Sequence, residues 1–323
     1  MPTESLELLL SRDRDRLAAC GVIGTASPLL QELVNFGTHA LARFADTWRQ
    51  QERDIPLAER DEHRDHHVSL FTLYWQLIGL TDAIEVLVSQ SCSLSIVPLL
   101  RSSFEMLLSL EYLLADPHPD RARSQAWLVA HIRRRASGWQ DLDPSTERGR
   151  QFKEDRANDR VLSSVSIPEA LVSRAQERAA FYKRWLAKPY LASIDDRLAP
   201  KAEWYSLDRG PTNLYQLARH LRRGGLYGLL YRAWSAQVHG ADATIAVCKG
   251  AEGRGTFSRT RDARDLAWYA FLTARFMLDA TWLLLKHVRP GEETATARWY
   301  EREVREPCRR LQAMSASSPH FES

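Results

Sequence analysis

With 323 residues, 44% of them hydrophobic and 26% charged, the chain has the length and composition of a protein with a sizeable core, which excludes a disordered tail or linker. The formal net charge of +3 excludes a general electrostatic pull on nucleic acid. Only six of its 44 basic side chains are lysines, however, so its local patches are arginine patches suited to carboxylates and phosphates. Cys20, Cys92, Cys248 and Cys308 are far apart, which argues against a disulfide framework or a cysteine zinc site.

The first segment, "MPTESLELLLSRDRDRLAACG", mixes acidic residues and early arginines with a short apolar patch, unlike a secretory signal. No run reaches about 18 uncharged apolar residues, the usual minimum for a spanning helix. The expectation is a cytoplasmic protein without membrane contact. Apolar spacing predicts helices over 4–19 and 28–51, then a charged break that is either a linker or a helix start. Within that break, "DEHRDHH" at 61–67 places Glu62 near His66 and His63 near His67. It lacks paired Glu-x-x-His or His-Glu-x-x-His patterns, so it reads as a solvated helix start and no metal is expected.

Helices are predicted over about 66–90 and 94–115. The second is apolar on nearly all sides, as central helices are, with Pro98 in its first turn and Pro117 and Pro119 beyond its end. On it stand Arg101 and Glu105, four apart and therefore on one face. Arginine-rich helices follow over 120–141 and 145–187, broken at "SVSIP". Arg133, Arg134 and Arg135, near Trp127 and Trp139, are candidate RNA contacts, with an exposed helix face as the alternative. "NLYQLARHLRRGG" reads as a helix closed by glycine.

The next stretch, "GGLYGLLYRAWSAQVHG", is a greasy helix carrying Tyr231, Arg232, Ser235 and His239 close to one face. Arg60 precedes His66 and His67 at comparable distances, so spacing alone does not distinguish Arg232 and His239. Their apolar setting does, because polar groups on such a helix need partners. They form either a site or a buried pin between helices. "TIAVCKGAEGRGTFSRT" offers at most one small β-hairpin, near 244–258, and helices over 262–288 and 292–313 complete the chain. The fold class is all-α, a single large domain of about ten helices. Along the chain, 1–55 is an N-terminal helical extension, 56–290 the core, and 291–323 a C-terminal helix and tail.

Two segments together, Arg101-x-x-x-Glu105 and Tyr227-x-x-x-Tyr231-x-x-x-Ser235-x-x-x-His239, resemble the paired motifs of a bacterial family known only as a domain of unknown function. The resemblance covers roughly 60–290. Arg232 with His239 also resembles, more distantly, the Arg–His motif of the HEPN superfamily of helical proteins, many of them metal-independent ribonucleases. That resemblance implies a HEPN-like bundle and a homodimer that cuts RNA, as a toxin or defence effector. Arg232 and His239 would be catalytic, Arg101, Glu105, Tyr231 and Ser235 supporting, and no cofactor needed. An alanine follows Arg232 where HEPN ribonucleases often carry a polar residue. The alternative is a non-catalytic helical binding or scaffold protein whose polar cluster holds a small anionic or nucleotide ligand or locks the core.

Overall fold

The computed structural model describes residues 18–115, 121–228, 247–249, 255–257, 261, 263 and 265–316. Among the described residues the fold is all-α apart from one antiparallel hairpin, Val247–Lys249 with Gly255–Phe257, in which Cys248 pairs with Thr256. The hairpin lies where the sequence allows one.

The described residues form two compact units interleaved along the chain. The first draws on 1–57, 70–117 and 218–323, the second on 58–69 and 118–217.

In the first unit, α1 (Cys20–Arg53) runs through Pro28 instead of starting there. Pro28 forfeits one backbone hydrogen bond, and the long buried face of Leu29, Leu30, Leu33 and Phe44 holds the helix together across it. α2 (Arg60–Ser89) begins six residues earlier than its apolar pattern suggests, so the charged break is a helix start. α3 (Ser93–Leu114) buries Leu100, Phe104, Leu107 and Leu108. It packs on α9 (Leu266–Val288), with the Phe104 and Phe276 rings 5.7 Å apart. α9 also packs on α1 and on α11 (Arg305–Ala316), which follows α10 (Glu293–Trp299) through one π-helical turn. Tyr74 of α2 is sealed in this core, its hydroxyl 2.8 Å from the Thr281 hydroxyl of α9. The N-terminal helix is thus part of the core: Phe36 stacks on Trp299 at 3.6 Å, and the Trp299 indole donates to Glu32.

The second unit contains α4 (Ala122–Gln140), α5 (Glu147–Asn158), α6 (Glu169–Leu186) and α7 (Pro189–Arg197), with the first turns of α2. α4 packs on α6 and α7. Thr146 caps α5 by accepting from the Gly149 amide at 2.9 Å. A β-carbon at Gly149 would collide with the Asp143 carbonyl, so this tight entry requires glycine.

By length and composition alone, two described helices, 57–89 and 93–114, could cross a membrane. In their most apolar windows 44% and 50% of residues are buried, and α3 spends its apolar surface on α9, as a core helix does.

Candidate functional site

α3 carries the first motif beside its buried face, Arg101 seven residues before buried Leu108 and Glu105 seven before buried Tyr112. Arg101 Nε donates to Glu105 Oε1 at 3.1 Å. Their side chains keep 20% and 35% exposure, so the pair is neither sealed nor fully solvated. Arginine preceding glutamate is the weaker order for a helical pair, which leaves its cost to be offset by something besides helix stability. Ser109, one turn on, donates its hydroxyl to the Glu105 carbonyl at 2.8 Å.

Two residues further along α3, Glu111 receives Arg223, which donates from Nε at 3.0 Å and also from Nη2. Nη2 donates in addition to Asp279 of α9 at 2.9 Å, and Asp279 accepts from Arg275 at 3.1 Å. Burial pushes the Glu111 carboxyl above its usual range, partly offset by Arg223. Arg223 immediately precedes Gly224 and Gly225, where the second motif's segment opens, so it ties that opening to the helix bearing Arg101 and Glu105. A groove of about 420 Å³ lies beside this network, walled by Leu114, Leu221 and Leu283 and edged by Arg222.

The turn into the groove departs from expectation. α8 (Leu214–His220) is closed not by Gly224 but by Arg222 in the left-handed region, at φ 59°. The Arg223 amide donates to the Ala218 carbonyl at 2.7 Å and the Arg222 amide to the Arg219 carbonyl at 3.0 Å, the paired bonds of a Schellman cap. Glycine is the usual occupant of that position.

Tyr231, Arg232, Ser235 and His239 lie outside the described residues. Tyr227 is described, and its amide donates to the Arg223 carbonyl at 3.0 Å. The Glu111, Arg223 and Asp279 network is absent from the sequence reading. Its signal was available: Asp279 is the lone acid on α9, and Glu111 one of two acids on α3.

In the second unit, Arg133 is committed to the fold. Its guanidinium donates to Asp195 Oδ1 at 2.6 Å and to the carbonyls of Asp195, Leu198 and Ala199, closing the end of α7. Arg134 and Arg135 are exposed, whereas Trp127 is buried and stacked on His131. The 61–67 cluster begins a helix, but the expectation of a solvated one is corrected: His63, Asp65 and His67 are buried. Glu62 accepts from Gln125, and His66 meets the Ser124 hydroxyl at 2.6 Å, so the start of α2 is covered by the start of α4. Among the described residues no group of three or more His, Cys, Asp or Glu side chains is arranged to hold a metal ion.

An all-α protein with a half-open arginine–glutamate pair on an apolar helix, followed far along the chain by a glycine-opened tyrosine segment, is what the two motifs define. The profile of DUF5677, a family of unknown function, matches residues 67–252, more than half of the chain, and the protein belongs to that family. No curated protein and no solved structure matches it.

Proposed function

We propose that this chain is a HEPN-like, metal-independent endoribonuclease, a cytoplasmic toxin or defence effector acting as a homodimer. In this reading the 2′-hydroxyl of RNA attacks the adjacent phosphorus and the 5′-oxygen leaves, with His239 moving the proton and Arg232 steadying the phosphate charge. Arg101, Glu105, Tyr231 and Ser235 position them. The observation that supports the reading is the Arg101–Glu105 pair. A charged pair stabilises a core poorly, yet this one stands partly exposed on an apolar helix, beside its buried face. The test is incubation of the purified protein with total RNA in a chelator, beside His239→Ala. Cleavage by the parent alone supports the reading; equal cleavage by both, or none by either, removes it.

The Arg222-edged groove favours a second reading, non-catalytic binding of a small anionic or nucleotide ligand. Calorimetric titration with nucleotides would then show binding that Arg222→Ala abolishes, without any cleavage of RNA.

A further inference from the structure

α6 presents a face that neither the motifs nor the arginine run of α4 accounts for. Its buried side is small, Ala175 and Ala179, and packs on α4. Elsewhere on the helix, Arg174, Arg178, Phe181 and Trp185 recur at intervals of four, three and four, which returns each to one stripe about 16 Å long. Lys188 extends the stripe beyond the helix end, and Arg184 flanks it. Glu177 lies beside it, and Asp61 stands at its Lys188 end. Among the described residues, Arg174, Arg178 and Arg184 enter no ion pair.

Two features make this more than a solvated charged face. Phe181 is 43% exposed, an unusual placement for phenylalanine, and its ring meets Trp185 at 5.7 Å. Second, the rings and cations are held in place from below. Asp65, only 5% exposed, accepts from the Trp185 indole at 2.8 Å, the Tyr190 hydroxyl at 2.5 Å and Lys188 at 3.5 Å. Asp61 binds Lys188 at 3.1 Å. The result is a groove of about 380 Å³ with Phe181 and Trp185 as walls, Arg64, Arg184 and Lys188 around them, and Asp61 and Asp65 also in its lining.

We propose that the α6 stripe is a binding track for single-stranded RNA, with a base stacked against Phe181 and Trp185 and the flanking phosphates held by Arg174, Arg178 and Arg184. A pair of rings flanked by cations is what a strand requires: every base has a flat face to stack, and each phosphate draws a cation. An acidic peptide would use the cations and leave the rings idle. The choice of RNA over DNA rests on the proposed function, but the strand-binding surface does not.

The test is fluorescence anisotropy of a labelled 12-nucleotide oligo-U and of its DNA counterpart, using the full chain carrying His239→Ala so that no strand is cut. Phe181→Ala should weaken binding about tenfold, as loss of one stacked base does, while Phe181→Trp should retain it. Arg178→Gln and Arg184→Gln should each weaken binding and make its salt dependence shallower. Circular dichroism confirms that the variants fold; Phe181 is exposed enough to be replaced. Affinity unchanged in Phe181→Ala, displacement of the strand by poly-glutamate as readily as by unlabelled RNA, or no binding to either strand overturns the proposal. DNA bound more tightly than RNA overturns the assignment to RNA. A strand held by the stripe yet left intact by the protein bearing His239 removes the ribonuclease reading alone.

Discussion

Asp65 and Trp185, 120 residues apart in sequence, are joined by a 2.8 Å hydrogen bond from indole to carboxylate. Because Asp65 is buried and also accepts from Tyr190, its loss strands two donors at once, while Lys188 keeps Asp61. Asp65→Ala should cost about 3 kcal/mol of stability, and Asp65→Asn less, since an amide oxygen still accepts. Denaturant unfolding followed by tyrosine and tryptophan fluorescence measures both. A loss below about 1 kcal/mol for Asp65→Ala would show that the hub is not structural.

Arg133 separates a fold role from a nucleic-acid role. Arg133→Ala should destabilise the protein by about 2 kcal/mol, and Arg133→Lys should recover little, because an ammonium cannot span a carboxylate and three carbonyls. Neither change should alter the salt slope of RNA binding. A shallower slope with unchanged stability would assign Arg133 to the strand instead.

Arg222 carries backbone strain that glycine would relieve. A left-handed residue with a β-carbon costs about 1–2 kcal/mol, of which glycine's freer unfolded chain returns a part. Arg222→Gly should therefore raise stability by up to about 1 kcal/mol, seen as a higher melting temperature. If the groove binds an anion, the same change lowers that affinity. Arg222→Gly melting below the parent would contradict the cap assignment.

His131 supplies a pH dependence. Burial holds its pKa below 6.5, and Arg135 and Arg134 add to the shift. The folded state thus binds a proton less readily than the unfolded chain. Its stabilising contribution is complete above pH 6.5 and is lost as pH falls through the lowered folded value. His131→Phe should flatten the acid side of the stability profile, and NMR titration of the His131 ring should give a midpoint below 6.5. A midpoint at or above 6.5 contradicts the burial argument.

Glu105 divides stability from activity. Glu105→Gln removes a half-exposed ion pair and should cost less than about 1 kcal/mol. On the proposed function the same change lowers RNA cleavage tenfold or more. Activity retained at the parent level would reduce the pair to packing.

Period-3.6 apolar spacing was enough to read the all-α class and most helix bounds, because α3 and α9 are so apolar that no other structure could bury them. The boundaries that differ have local causes. Pro28 sits inside α1 because a long buried face outweighs one missing bond, and the charged start of α2 is buried because α4 covers it. Arg101 and Glu105 were legible as charges on an apolar helix. Arg223 was not: its partners Glu111 and Asp279 come from helices remote in sequence, and spacing carries no trace of such a meeting. Likewise, Arg133 belonged to a run of three arginines until tertiary structure singled out the one that reaches α7.

The interleaving of the two units also shapes the life of the nascent chain. When α3 has been made, its partner α9 is still untranslated, with residues 115–265 to be synthesised first. At roughly 5–20 residues per second that wait is about 8–30 s. Through it, the Leu100, Phe104, Leu107 and Leu108 surface emerges with its main cover missing, while the second unit can complete itself in order. A helix buried in the finished protein is therefore left open to a chaperone during its synthesis.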